Sequence, residues 1–217
     1  MTRPLIDHVL DRLGRGFDAS GAGNYQPMRL RRRSGLSAGL GRVAHDIGLG
    51  ALIGGNLFAR VGMHPALGEL HDPRERGKVL NAAWRRYGTV NSLSLLALVA
   101  GWAGEHAQAS GPGSRPARER RVASAQDGAL AAVVVSGVAA ALQGMRFARM
   151  EPGGAVPLAD GSTPAAQTPD REARAKRTLN ALGNLNLASA LALAAVNASR
   201  QPADASRSLV RRLSRRR

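Results

Sequence analysis

Between Asp127 and Arg146 the chain reads GALAAVVVSGVAAALQGM, eighteen consecutive residues without a charge. A run this long is not a strand, because buried strands rarely exceed eight residues. As a helix at 1.5 Å per residue it covers about 27 Å, close to the hydrocarbon thickness of a bilayer. The pattern predicts a membrane-spanning helix over about Val122 to Met145. This segment decides the fold class, because three others resemble it.

Thr178 to Ser199, TLNALGNLNLASALALAAVNAS, is a second uncharged run, dotted with Asn180, Asn184, Asn186 and Asn197. Trp84 to Ala103 is a third candidate helix, and its core, VNSLSLLALVAGWAG, carries no charge. Trp84 and Tyr87 stand at one end of it and Trp102 at the other. Eighteen residues separate the two Trp, again about 27 Å of helix, and aromatic rings favour the interfacial depth. Trp84, Tyr87 and Trp102 are therefore expected as membrane-interface anchors. The fourth, Leu36 to Met63, has only thirteen strongly apolar residues, Ile47 to Ala59, and reaches spanning length only if Gly39 to Asp46 enter the bilayer region. Pro65 fits its end. The expected fold is all-α, a four-helix transmembrane bundle preceded by a short peripheral helix.

The flanks carry the charge. The 217 residues include 31 Lys and Arg against 15 Asp and Glu, a formal net charge of +16. Such a balance calls for an anionic partner, anionic lipid or nucleic acid, or simply marks the flanks of membrane segments. Residues 1–35 read as a basic N-terminal arm. Leu5, Ile6, Val9, Leu10 and Leu13 form a short amphipathic helix within it, and 15–35 form a linker ending in Arg31, Arg32 and Arg33. Residues 36–200 form the four-helix membrane domain. Residues 201–217 are a basic tail containing Arg211, Arg212 and Arg215. These six Arg are candidates for contact with anionic lipid. No apolar stretch near Met1 resembles a signal peptide, so entry into the membrane is expected through an internal helix.

Asp72 before Pro73 has the form of a helix N-cap followed by Pro at the first helical position. The loops 105–121 and 149–170 are rich in Gly and Pro. The segment before the second helix, RERGKVLNAAW, is echoed before the fourth by REARAKRTLNAL, and Phe-Ala-Arg recurs at Phe58 and Phe147. The echo suggests two repeated helical hairpins, as in many membrane folds. Four spans put both termini on one side. The termini and the middle loop carry 19 Lys and Arg and the other side 12, which places both termini in the cytoplasm of a plasma-membrane protein. Gly50-x-x-x-Gly54, with Gly48 and Gly55 nearby, is expected to pack helix against helix.

His45, Leu49, Leu52, Asn56 and Met63 fall on one helical stripe. Asp46 and Asp127 open the first and third helices. His45, Asp46 and Asp127 either cluster as an ion or proton site or sit at helix N-termini near the headgroups. Asn56 and Asn91 either bond neighbouring helices or line a polar ligand site. No catalytic, cofactor or metal motif is present: there is no Cys, no HExxH, no phosphate-binding Gly loop and no Ser elbow. No cofactor or metal is expected. The basic tracts lack interleaved aromatics, which argues against nucleic-acid recognition.

The segments Ala44-His45-Asp46-Ile47-Gly48-Leu49-Gly50, Gly54-Gly55-Asn56-Leu57-Phe58 and Arg76-Gly77-Lys78-Val79-Leu80-Asn81-Ala82-Ala83-Trp84 resemble a group of uncharacterised small membrane proteins of actinobacteria. The resemblance covers roughly residues 43 to 105 and implies a plasma-membrane helical bundle. It implies no activity. The expected function is a non-enzymatic integral membrane protein whose partners are the bilayer, anionic lipids and a second copy or another membrane protein. The alternatives are a small transporter, channel or ligand-binding bundle, and a soluble basic protein binding nucleic acid without sequence preference.

Overall fold

In the computed structural model the structure describes residues 28–108 and 117–199, with side chains from residue 39 onward. Four long helices make up most of it: α1 (Met28–Phe58), α3 (Pro73–Gln108), α4 (Ala117–Ala148) and α5 (Asp170–Ser199). A short helix, α2 (His64–Leu67), follows α1 after a π-helical turn at Ala59–Met63. No strand occurs among the described residues; Leu158 and Pro164 form one isolated bridge. The packed unit begins at Leu36. The expected helix at residues 5–13 and the basic tail lie outside the described residues.

Three local expectations change. Helix α1 starts at Met28, inside the segment read as linker. Its helical course also does not end before Pro65 but runs through it to Leu67. Pro clashes with the carbonyl four residues back. The π turn widens the helix at that point, and the His64 N–H bonds back to the Ala59 carbonyl. The loop between α3 and α4 is shorter than expected, because α3 continues to Gln108 and α4 already starts at Ala117. Asp72 caps α3 as its position predicts: the Arg74 N–H donates to its carboxylate at 2.9 Å.

Helices α1 and α3 form an antiparallel hairpin whose seam is a seven-residue repeat. Gly41 meets Gly101, Gly48 meets Ser94, and Gly55 meets Tyr87. Each step of seven along α1 is answered by a step of seven back along α3, the register of antiparallel helices crossing at a shallow angle. The approach is tight. A Cβ on Gly48 would lie 2.8 Å from the Ser94 carbonyl oxygen, and one on Gly101 2.6 Å from that of Gly41. The Tyr87 hydroxyl, filling the space beside Gly55, donates to the Ala51 carbonyl at 2.6 Å. The expected Gly50/Gly54 pair does not pack: a Cβ at either position meets nothing within 4 Å. The small-residue principle holds, but the register belongs to positions 41, 48 and 55.

Helices α4 and α5 make the second hairpin. Asn186, buried on α5, donates to the Val133 carbonyl at 2.8 Å and the Ser136 hydroxyl at 3.2 Å. The two hairpins close on a core of Leu49, Leu52, Leu98, Leu130, Val133, Ala190 and Leu193.

Above one end of the bundle, residues 149–169 fold into an ordered cap around Leu67, Leu80, Phe147, Val156 and Leu158. Arg76 holds this loop in place. Its guanidinium donates to the carbonyls of Leu70, Leu158 (3.2 Å) and Ala159 (2.8 Å). Gly77 lets the loop's Val156 backbone press against α3, in space that any Cβ would occupy. Asn81 donates to Gly154 at 2.8 Å and Asn180 to Ser162 at 2.6 Å. The two Leu-Asn-Ala echoes in the sequence thus do the same work, Asn clasping the loop and Leu80 and Leu179 packing beneath it. The two Phe-Ala-Arg echoes do not: Phe147 is fully buried and Phe58 is 69% exposed, because the cap folds back over Phe147.

The surface around the bundle is apolar. Ile47, Leu96, Val135 and Leu185, one from each long helix, are 67%, 65%, 68% and 53% exposed. This zone is bounded on the cap side by Arg60, Arg86, Arg146 and Arg177, and on the far side by Asp46, Glu105 and Asp127. Among the described residues, α4 and α5 are long and apolar enough to cross a membrane by length and composition. Helices α1 and α3 fall below that measure, since Gly, Ser and Asn dilute them.

The seam makes a clear prediction. Gly48→Val should cost about 1–3 kcal/mol through overpacking, whereas Gly50→Val should stay within about 0.5 kcal/mol. Thermal unfolding of the purified chain in mild detergent reads the difference, and equal losses would contradict the seam.

Candidate functional site

At the end of the bundle far from the cap, His45 is 6% exposed and joins three helices. Its ring lies on the buried face of α1 because Gly41 and Gly48, on either side of it, bring α1 against α3. Nδ1 is 3.2 Å from the Leu98 carbonyl. That oxygen only accepts, so Nδ1 carries the proton. Nε2 then accepts from the Asn197 amide at 3.1 Å. The Asn197 Oδ1 is buried without a partner. His45, Leu49 and Leu52 are buried and Asn56 and Met63 half-buried, so the stripe read from the sequence is the interior face of α1.

Asp127 lies at the same end but belongs to a different group. It accepts from the Trp102 indole at 2.7 Å and stands 3.4 Å from His106 Nε2. The rings of Trp102 and His106 stack with centroids 4.3 Å apart. No hydrogen bond or ion pair joins Asp127 or Asp46 to His45. Asp46 is exposed. The expected cluster therefore divides into a buried His45–Asn197 contact and a half-exposed Asp127–Trp102–His106 contact, reaching α3 one turn apart.

Asn56 is spent on its own helix, donating to the Leu52 carbonyl at 2.9 Å. Asn91 is half-buried. Trp84 packs against the cap core and meets Tyr87 edge to face at 5.9 Å. Trp102 packs against the bundle core. Arg31, Arg32 and Arg33 fall within α1, their side chains outside the described set. Arg211, Arg212 and Arg215 lie outside the described residues.

The cap holds a cluster that the sequence reading missed. Lys176, on the first turns of α5, is 2% exposed, with its ammonium 5.9 Å above the Phe147 ring. Burial pulls its pKa down to about 8, against the pull of Asp160. His64 is held near 4 by burial first, then by the charges of Lys176 and Arg60. The Asp160 carboxylate accepts from the Ser162 hydroxyl at 2.7 Å and the Thr163 N–H at 2.8 Å. These bonds outweigh its burial and keep it below the usual carboxylate range. Arg60 leaves the π turn to donate to the Asn184 side-chain oxygen on α5. Its Nε, and Nε2 of His64, are buried without partners. The signal in the sequence was slight: Lys176 was one cation among many in a basic flank, and only the folded loop buries it.

No family model, curated protein or solved structure matches the chain. Among the described residues, no group of three or more His, Asp or Glu is placed to hold a metal ion.

Two predictions follow from these contacts. His45→Leu should destabilise by about 1–3 kcal/mol, because Asn197 loses its partner in a buried site; adding Asn197→Leu should recover part of that loss. Thermal melts of the two single variants and the double variant test this, and additive losses would break the link. In the cap, folding lowers the His64 pKa from 6.5 to about 4. Between those values the unfolded chain binds the extra proton, so stability rises with pH across the window. His64→Gln should flatten that rise in melts taken from pH 4 to 6.5.

Proposed function

We propose that this chain is a four-span integral membrane protein of the plasma membrane, acting without catalysis through the surfaces it presents to lipid and to other membrane proteins. The carrying observation is the continuous zone of exposed large apolar side chains on all four long helices, bounded at both ends by charges. In water such a surface would drive aggregation; in lipid it is the ordinary exterior. It supports assigning α1 and α3 to the bilayer beside α4 and α5, although their mean hydropathy is lower, because part of their polar content is spent within the helix: Asn56 donates to Leu52 at 2.9 Å and Ser94 to Val90 at 2.8 Å.

The bias of Lys and Arg toward the termini supports both termini in the cytoplasm and the cap outside. Anionic lipids suit the Arg-rich arm and tail, and nucleic acid has no motif here to read it. The actinobacterial resemblance fits the same architecture. A transporter or channel is the weaker reading, because His45 and Asn186 spend their polar groups joining helices.

Carbonate extraction of membranes from cells expressing the tagged chain should leave it in the pellet; release to the supernatant would overturn the bilayer assignment. The chain has no Cys, so single-Cys variants report topology cleanly. Cys at Ala166, in the cap, should be labelled by an impermeant thiol reagent only from outside, and Cys at Ser208 only after the cells are opened.

A further inference from the structure

We propose that Arg146, Arg149, Arg174 and Arg177 form a binding surface for the headgroups of anionic phospholipids in the leaflet on the cap side, with the acyl chains lying along the apolar strips of α4 and α5. The proposal deepens the bilayer reading and rests on it.

The ends of the two helices lie side by side. Gln143 on α4 donates to the Ala175 carbonyl on α5 at 3.4 Å, and the Lys176 ammonium stands 5.9 Å from the Phe147 ring centroid. This antiparallel register brings Arg146 and Arg149, at the end of α4, level with the opening turns of α5, where Arg174 and Arg177 stand. Phe147 and Lys176 are buried between the helices, whereas all four arginines are exposed. Among the described residues, none of the four side chains makes an ion pair or a hydrogen bond.

The acids of this end are already matched. The buried carboxylate of Glu172 offsets the buried ammonium of Lys176 one turn further along α5. Glu151 pairs with Arg74 at 3.3 Å. Exposed Asp170 stands beside exposed Arg171. The four arginines remain as uncompensated charge on the outer surface. They add nothing to the stability of the fold: Arg174 and Arg177, three apart on one helix, repel each other. An external anion removes that repulsion, and the arginine fork gives a phosphate two parallel N–H bonds.

The apolar surface next to the arginines selects the partner. On α4 the exposed Val135, Val138, Leu142 and Met145 lead at helical spacing into Arg146 and Arg149. On α5 the exposed Leu185 and Ala181 lead into Arg177 and Arg174. An occupant must be apolar along about three turns of helix and anionic at one end. One molecule of anionic phospholipid meets both demands. A nucleic acid or a soluble acidic peptide meets only the second.

The full chain in neutral detergent is offered phosphatidylglycerol and phosphatidylcholine, and retained lipid is counted by native mass spectrometry. The parent should prefer phosphatidylglycerol. Arg146→Gln with Arg177→Gln, and Arg149→Gln with Arg174→Gln, should each lower that preference about tenfold or more, at roughly fivefold per arginine. Arg74→Gln with Lys78→Gln removes the same charge from the cap, about two turns of α3 or more beyond the uncharged stretch that begins at Tyr87, and should leave the preference within about twofold. The arm and tail are intact in every variant, so the difference reads the patch. All the substituted side chains are exposed, and thermal melts should match that of the parent. If the patch variants hold phosphatidylglycerol as the parent does, or lose no more than the Arg74 and Lys78 control, the surface is overturned. If the parent shows no headgroup preference yet binds soluble polyglutamate through these arginines, the partner is an acidic protein and the lipid assignment is overturned. Carbonate extraction keeps the two readings apart: pelleted chain without a patch-dependent preference overturns the surface alone, and chain released to the supernatant overturns the bilayer assignment and the surface with it.

Discussion

The close approach of α1 to α3 is the constraint on which the remaining structure depends. Glycine at 41, 48 and 55 removes the side chains that would separate the helices. Backbone then meets backbone, and carbonyls of one helix come within reach of side chains on the other. Tyr87 reaches Ala51 and His45 reaches Leu98 only because of that spacing. The same register fixes how far α1 rises before its π turn, and so where Arg60 meets α5. In lipid, burial of apolar surface gives little drive for helix association, and close packing with interhelical hydrogen bonds takes its place.

The cap solves a different physical problem. Its core of Leu67, Leu80, Phe147, Val156 and Leu158 is covered by a loop of irregular backbone. Such a loop needs partners for its polar groups, and they come from backbone and side chains together: the N–H groups of Leu158 and Gly161 donate to the Pro73 and His64 carbonyls, while Arg76 serves two of the loop's carbonyls, Asn81 and Asn180 two more, and Thr168 that of Pro157. The exposed Arg74–Glu151 pair at 3.3 Å adds little by comparison, about 0–1 kcal/mol. Ordered this way, the loop shuts Lys176 away from water and sets it close enough to the half-buried His64 to hold that imidazole's pKa down. The stability of the bundle and the chemistry of the cap thus reside in different parts of α3 and α5, with helix packing below and side-chain clasps above.

Much of this architecture was legible in the sequence. Uncharged runs at 128–145 and 178–199 specify long apolar helices through length alone, and the absence of alternating patterns excludes strands. Asp72-Pro73 specifies the start of α3, because a carboxylate before Pro satisfies an N–H that the helix leaves open. The Leu-Asn-Ala echo pointed to two positions with equivalent work. These features are local: each depends on residues within a turn or two of one another. The registers were not legible in the same way. Gly50-x-x-x-Gly54 and the set 41, 48 and 55 are equally plausible strips on an isolated helix, and only the partner helix selects one of them.

Pro65 shows the same division at smaller scale. Its chemistry disfavours a regular α-turn around it, which the sequence states; that the chain widens into a π turn at Ala59–Met63 and runs on to Leu67 instead of stopping is decided in the folded structure. Likewise, His45 and Asp127 declare themselves as ionisable groups near apolar helices, yet their separation into two contacts follows from which turn of α3 each meets. The sequence by itself determined that the chain is helical, basic at its flanks and apolar between them, since periodicity, charge and length act within single segments. The tertiary structure alone decided that residues 149–169 are a cap and that Lys176 is buried beneath it. Burial and electrostatic coupling arise between residues more than a hundred positions apart, as between Arg60 and Asn184, and no local pattern encodes them.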